Sequence, residues 1–217
     1  MKRKTIDYLV NSHPHPDHLQ GLLFLLENFE VGKVWNNGDQ EGESPLIPKF
    51  LELAGGRLKA KGWWEMGEEV NGVQIVSLHP PLEGDKRRNF SGNDGSLVLR
   101  FSFDKVSFLF CGDVESAAEK EILQTGANLQ ATILKVPHHG SKSSSTQEFL
   151  ESVRPKFAVF TVRSGTRNRL PHPTVLERYE SMGVKIYRSD RDGAITFLTD
   201  GKSLQVATFL KPLTAER

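Results

Sequence analysis

The sequence is poor in cysteine, in long apolar runs and in net charge. Cys111 is the only cysteine among 217 residues, which excludes an internal disulfide and a cysteine-based zinc site. No stretch approaches the roughly 18–20 apolar residues of a membrane-spanning helix, and no apolar run follows Met1 to form a signal peptide. The net charge of +1 gives no overall field that would attract nucleic acid. We therefore expect one globular domain over residues 1–217, or a large fragment of one, with compartment and oligomeric state left open.

Positive charge is concentrated in three local clusters instead. They comprise Lys86 with Arg87 and Arg88, Arg163 with Arg167 and Arg169, and Arg188 with Arg191. Clusters of this kind are usually solvated loops, but they can also face a phosphate. The sequence leaves both interpretations open.

Hydrophobic periodicity and turn residues predict alternating helices and strands, which is typical of a layered α/β domain. The region from Glu68 to Gly72 reads as a connection between strands. The predicted strands are 8–10, 31–35, 59–64, 73–78, 96–103, 106–110, 133–136, 157–162, 184–187, 194–198 and 204–209. One predicted helix begins after residue 16. The other predicted helices cover 48–53, 114–124, 146–153 and 174–182.

The stretch from Ser12 to Leu19 reads Ser-His-Pro-His-Pro-Asp-His-Leu and lies between a predicted strand and a predicted helix. Neutral imidazole and carboxylate are ligands of zinc and manganese. A single ion has too few positions for all four side chains once the loop has spread them. We therefore predict two neighbouring ions, with His13 and His15 on one and Asp17 and His18 on the other. A polar loop that is merely rich in histidine is the alternative.

These residues resemble the signature of the metallo-β-lactamase fold superfamily. Four further stretches resemble the nuclease-like domain of ComEC-type DNA-uptake (competence) proteins, and the similarity runs from about Ile6 to about Thr199. They are 93–99, 108–113, 134–141 and 171–173. The resemblance implies a four-layer α/β/β/α sandwich. Members carry several strands before the His-rich loop, so we expect a sandwich that lacks its first N-terminal strands. Full-length competence proteins of this type are membrane proteins.

The resemblance also implies a role for Asp113 and for the pair His138 and His139. Asp113 follows a predicted strand and would bridge the two ions; alternatively it caps the helix that begins at Val114. Side chains of neighbouring residues point apart, so only one histidine of the pair is expected to bind metal. We favour His138 as a ligand of the second ion and expect His139 to hydrogen-bond a ligand or a phosphate.

Asn93 marks a departure from the superfamily pattern. Many members have a third histidine for the first ion at this point, whereas here Asn93 or Asp94 occupies it. An amide oxygen is a weaker zinc ligand than imidazole, which shifts the preference towards harder ions such as manganese. ComEC-type domains resemble this chain in carrying asparagine here.

Two further residues are candidates for a catalytic role. Lys142 lies in the run Gly140 to Ser145, whose exposed backbone amides, hydroxyls and ammonium suit an anionic phosphate; a flexible serine-rich loop is the alternative. His172 resembles the histidine of a family element and would hydrogen-bond the scissile phosphate, although a structural role is also open. In the mechanism that the resemblance implies, Asp17 orients the nucleophile and His139, His172 or water protonates the leaving group.

Three functions remain open from the sequence. The first is a metal-dependent phosphodiesterase or nuclease that acts on DNA through a hydroxide held between two Zn²⁺ or Mn²⁺ ions. The second is a hydrolase of lactones, thioesters or β-lactams that uses the same centre. The third is an inactive metal-binding fragment that serves as a binding module.

Overall fold

A computed structural model describes residues 4–39, 44–59, 68–80, 92–163, 165 and 170–216. The predicted basic run at 86–88 lies outside these residues, as do Arg167 and Arg169. Most of the strand predicted at 59–64 also lies outside them. Among the helices in the described ranges, none is both long enough and apolar enough to cross a bilayer.

The chain alternates strands with helices. The strands are β1 (Thr5–Val10), β2 (Glu30–Trp35), β3 (Leu58–Lys59), β4 (Glu68–Val70), β5 (Val73–His79), β6 (Val98–Phe103), β7 (Val106–Phe110), β8 (Ile133–Lys135), β9 (Phe157–Phe160), β10 (Lys185–Arg188), β11 (Ile195–Thr199), β12 (Leu204–Thr208) and β13 (Lys211–Glu216). The helices are α1 (Pro16–Asn28), α2 (Ile47–Ala54), α3 (Ser116–Gln124), α4 (Gln147–Val153), α5 (Pro173–Ser181) and the single turn α6 (Ser189–Asp192).

The largest sheet has seven strands in the order β10-β9-β8-β7-β6-β5-β4. Strands β7 to β10 run parallel to one another, whereas β4 to β7 pair as antiparallel neighbours. The parallel half follows from the helices α3, α4 and α5, since each returns the chain to the edge where the next strand starts. The carboxyl ends of β7, β8 and β9 therefore lie at one edge of the sheet, where the loops that follow them can meet.

Helices α3, α4 and α5 cover one face of this sheet. The core between them contains fully buried apolar side chains such as Leu109, Leu134, Phe149 and Tyr179. Residues of opposite parity along β7, β8 and β9 point to the other face, because side chains alternate along a strand. The second core, which includes Ile133, Phe157 and Val206, packs the sheet of β11, β12 and β13 against that face.

A second three-stranded sheet, in the order β1-β2-β3, packs against α1 and α2. The backbone joins it to the large sheet near its end, since Leu97 N–H donates to the Ser12 carbonyl. The layers therefore run helices, seven-stranded sheet, small sheets and helices, and the predicted α/β class is confirmed. Two strand predictions were incomplete. Residues Glu68–Val70 form β4 rather than a connection, and β13 follows the last strand that we predicted.

Candidate metal centre

The loops that carry the predicted ligands meet at one edge of the molecule. The stretch from Ser12 to His18 follows β1, Asp113 follows β7, and His138 and His139 follow β8. Gly112 makes the approach possible: its φ is +53°, and a Cβ at this position would lie 2.6 Å from the Ser96 Cβ. The Asp113 N–H can therefore donate to Ser96 Oγ at 2.9 Å.

His13 is fully buried at the base of the site. Its Nδ1 lies 3.1 Å from the hydroxyls of Ser12 and Ser96, which fix the orientation of the ring. Its Nε2 is then directed at the Asp113 carboxylate, 4.0 Å from Oδ2. Burial, together with the nearby His18, lowers the pKa of His13 to about 3. The imidazole is therefore neutral at pH 7, which is the form that binds a metal.

Four side chains bring ligand atoms together around one point. Asp17, His18, Asp113 and His139 each offer one atom, and these atoms all lie within 4.8 Å of one another. His18 Nε2 is 3.2 Å from Asp113 Oδ2 and 3.5 Å from Asp17 Oδ2. His139 Nε2 is 3.3 Å from Asp113 Oδ2 and 3.5 Å from Asp17 Oδ2.

These separations fit a tetrahedral metal ion. Ligand atoms held about 2.0–2.1 Å from such an ion are about 3.3 Å apart. The buried His139 Nε2 faces the Asp113 and Asp17 carboxylates. Its Nδ1–H donates to the Thr161 carbonyl at 2.7 Å, which leaves Nε2 unprotonated in the neutral ring. The donor set of two imidazoles and two carboxylates thus suits zinc or manganese.

Asp113 Oδ2 lies within 4.0 Å of a nitrogen of His13, of His18 and of His139, and the side chain is buried. Burial by itself raises the pKa of Asp113, but His139, His18 and the Lys135 ammonium together lower it below its ordinary range. Lys135 Nζ donates to the Gly112 carbonyl at 2.8 Å and to Asp113 Oδ1 at 3.4 Å. Burial lowers the pKa of Lys135 itself. Asp113 is thus held as an anion whose Oδ2 faces the imidazoles.

The structure brings His139, rather than the favoured His138, into this cluster. Both residues have left-handed backbone conformations, with φ of 43° and 54°, and this uncommon geometry turns consecutive side chains in different directions. His139 points to Asp113, and this contact raises the pKa of His139. His138 Nδ1 instead lies 2.8 Å from Glu115 Oε1.

The remaining predicted ligands lie beside this cluster. His15 Nδ1 is 3.1 Å from His13 Nε2, and Asn93 lines the same cavity as His15 and Asp113. Asp94, the alternative to Asn93, has a different role. Its Oδ1 accepts from the backbone N–H of Glu115 at 2.7 Å and from that of Ala118, in the first turn of α3, at 3.4 Å. Asp94 therefore caps α3 from another loop. The cap that was the alternative role for Asp113 is therefore supplied by Asp94.

The ligands open into a cavity of about 550 Å³, whose lining includes His138, Thr161 and Arg163. Arg163, the member of its basic cluster that lies within the described residues, is at this cavity. The described residues that line this cavity include neither Lys142 nor His172. Lys142 is exposed, and His172 Nδ1 accepts from Thr174 N–H at 3.3 Å, which makes His172 the N-cap of α5.

Several residues at the site were not predicted from the sequence. Ser12, Ser96, Thr161 and Lys135 orient the ligands, and Glu115 contacts His138. Each is an ordinary polar residue at a strand or helix end, so no local pattern distinguishes it. Lys135 gave the one available signal, since it is a charged residue within an otherwise apolar strand.

Comparison with known protein families agrees with this geometry. The family model described as the metallo-beta-lactamase superfamily matches residues 1–160. The chain belongs to this superfamily. One of two similar curated relatives is named for the ComE operon, and the other is named a competence protein. ComE operon protein 3 of Bacillus subtilis (strain 168) is 29% identical over 196 residues, which cover 89% of this chain and 25% of the relative. Competence protein ComA of Neisseria gonorrhoeae is 34% identical over 197 residues, which cover 89% of this chain and 25% of the relative.

This superfamily member thus spans about a quarter of the length of those relatives. Solved structures support the fold. A protein of Parabacteroides distasonis described as a metal-dependent hydrolase superposes with a TM-score of 0.51 at 13% identity, covering 86% of this chain and 77% of that one. The CmlA beta-hydroxylase E377D mutant gives a TM-score of 0.52 at 12% identity, covering 87% of this chain and 44% of that one.

Proposed function

We propose that this superfamily member is a metal-dependent phosphodiesterase that acts on DNA and uses two divalent ions, Zn²⁺ or Mn²⁺. The observation that carries the proposal is the set of separations between 3.2 and 3.5 Å that join His18 and His139 to the two carboxylates. Such separations match the ligand spacing of a bound ion.

The ligands divide into two sets in this proposal. Asp17, His18 and His139 would hold the second ion, His13, His15 and Asn93 would hold the first, and Asp113 would be available to both. Two such ions, when bound, would supply Lewis acidity towards a phosphoryl oxygen and would lower the pKa of a water molecule. The neutral state of His13 and the anionic state of Asp113 suit these roles without any change of protonation at neutral pH.

Other side chains position the substrate and move protons. The Asp17 carboxylate is 64% exposed and lies at the cavity, where it can orient the attacking water and accept its proton. The Arg163 guanidinium lines the cavity and can offset the charge that develops on the non-bridging phosphate oxygens. A cavity-lining histidine or water supplies the proton that the leaving alkoxide needs.

The comparisons favour DNA as the substrate class. One relative bears the name competence protein and another is named recombination protein 2, from Haemophilus influenzae, at 36% identity over 177 residues. Lys142 is a second candidate for contact with the DNA backbone because it is exposed beside the loop that carries His139.

An acyl substrate is the second candidate, and one observation favours it. An apolar cavity of about 330 Å³ borders His18 and is lined by Leu97, Leu99, Phe101 and Phe110, among others. Such a cavity would accommodate the apolar part of a lactone or a thioester.

A substrate panel tests these alternatives. The chain, loaded with Zn²⁺ or Mn²⁺, is assayed against bis(4-nitrophenyl) phosphate, single- and double-stranded DNA, and a set of lactones and thioesters. We expect hydrolysis of the phosphodiesters, reduced at least about 100-fold in Asp113→Ala and His139→Ala. Preferential cleavage of the acyl panel would establish the second candidate instead. Metal uptake without any hydrolysis would favour a metal-binding module.

A further inference from the structure

Glu115, the residue before α3, contacts two other loops of the candidate site. Its Oε1 accepts a hydrogen bond from Ser143 Oγ at 2.8 Å and another from Asn93 Nδ2 at 3.4 Å. The same oxygen lies 2.8 Å from His138 Nδ1. An acidic residue at the start of a helix often does no more than complement the helix dipole. Three polar contacts to one carboxylate oxygen, from two separate loops, indicate a more specific role.

The backbone N–H of Glu115 also holds the turn that carries Asn93. Asp94 Oδ1 accepts from the Glu115 N–H at 2.7 Å, and the Asp94 carbonyl is bound by His79 Nε2 at 2.7 Å. Residues 93 and 94 are thus tied to Glu115 through two bonds of opposite polarity. One bond uses the backbone of Glu115 and the other uses its side chain, so the turn that carries Asn93 is held in register with α3.

This arrangement determines which end of the Asn93 amide is available. A side-chain amide has one acceptor oxygen and one donor NH₂ group. The NH₂ group is turned to Glu115, which leaves Oδ1 for the cavity that Asn93 lines with His15 and Asp113. In this orientation the amide can offer an oxygen to a cation in the cavity, whereas a flipped amide would offer N–H groups that repel it.

We infer that Glu115 is a positioning residue for the metal centre, which holds the Asn93 amide so that its oxygen completes the first metal site. The inference rests on the proposed function because it requires that site. Partners in the outer shell that orient a ligand typically contribute 10- to 100-fold to metal affinity. An amide oxygen in place of imidazole also shifts the preference of the first site towards Mn²⁺ over Zn²⁺.

Calorimetric titration of the full chain with Mn²⁺ alone tests the inference. We expect wild type to bind two ions. Glu115→Ala should weaken one of them about 10- to 100-fold and leave the other unchanged, since Asp17, His18 and His139 do not contact Glu115. Glu115→Gln retains an acceptor oxygen and should stay close to wild type. Glu177→Ala, which removes an exposed carboxylate from α5, is the matched control and should bind both ions normally.

A double-mutant cycle separates positioning from general stability. If Glu115 acts through Asn93, then Glu115→Ala should add no further loss of affinity in an Asn93→Ala background. Additive losses, equal weakening of both ions, or no change on Glu115→Ala would each overturn the inference. If Glu115→Ala does not fold, Ser143→Ala replaces it as the test, because it removes the hydroxyl partner of the Glu115 carboxylate. This variant should weaken the same ion selectively but by a smaller factor. Unchanged binding in Ser143→Ala would overturn the inference.

Failure of the role of Glu115 and failure of the proposed phosphodiesterase give different results. Two bound ions with selective weakening, but no hydrolysis of any phosphodiester, would uphold the role of Glu115 and remove the phosphodiesterase. Wild type that takes up neither Mn²⁺ nor Zn²⁺ would overturn both.

Discussion

Lys135 offers the most quantitative test of the electrostatics at the site. Its Nζ lies 3.4 Å from Asp113 Oδ1, and the two side chains are 16% and 4% exposed. At an effective dielectric constant near 20, such a pair attracts with about 5 kcal/mol. Removing one partner of a buried pair typically costs about 3–5 kcal/mol. We therefore expect Lys135→Met to lower the free energy of unfolding of the metal-free chain by about 3–5 kcal/mol, or its Tm by roughly 6–20 °C.

The same substitution should have the opposite effect on metal binding. Divalent ions at the centre would neutralise Asp113 in place of the ammonium, and the ammonium would no longer repel them. The loss of stability should therefore be smaller in the metal-saturated chain than in the metal-free chain. By thermodynamic linkage, the ions should then bind Lys135→Met more tightly than wild type. The gain in binding free energy should equal the difference between the two losses of stability.

Chemical denaturation in a chelator and in saturating Mn²⁺ measures the free energy of unfolding of the metal-free and of the metal-saturated chain. Lys156→Met is the matched control because Lys156 is exposed just before β9, and it should change stability by no more than about 0.5 kcal/mol. The reasoning is refuted if Lys135→Met is as stable as wild type in chelator. It is refuted equally if the variant loses the same stability in both conditions.

Three further predictions follow from the structure. His139→Ala should lose one metal ion whereas His138→Ala should retain both, as elemental analysis will show; equal behaviour of the two would contradict the assigned orientation. Gly140→Ala should destabilise by about 2 kcal/mol or more in urea titrations, because its φ is +82° and a Cβ would lie 2.7 Å from a phenylalanine ring carbon. Gly126→Ala, at φ +69° with no atom within 4 Å, should lose only about 1 kcal/mol, and the reverse order would refute the steric argument. In the metal-free chain His13 should contribute a loss of stability of up to about 5 kcal/mol as the pH falls from 6.5 towards 3, because unfolded His13 binds a proton near 6.5 and folded His13 only near 3; a His13→Asn variant with the same pH profile would argue against that cause.

The sequence was most informative where one local pattern carried the whole signal. The spacing of His13, His15, Asp17 and His18 identified the loop without any tertiary information. The predicted strands 96–103 and 106–110 contain β6 and β7. The fold class followed from the resemblance to the metallo-β-lactamase superfamily. It is confirmed by the family match and by the layers of the structure.

The sequence could not resolve features that depend on backbone conformation or long-range contact. The choice between His138 and His139 depends on two consecutive left-handed residues, and no residue type there requires that conformation. The roles of Glu115 and Lys135 depend on partners 22 residues away along the chain. Strand β4 spans only Glu68–Val70, too short for an alternating pattern to distinguish it from a connection.

The central claim is that Asp113 is shared by two metal ions at this edge of the sheet. Elemental analysis after equilibration with Zn²⁺ or Mn²⁺ and removal of excess metal tests it directly. We predict two ions per chain in wild type and a loss of both in Asp113→Ala, with retained circular dichroism. Wild type without bound metal, or an Asp113→Ala variant that still holds two ions, would contradict the account.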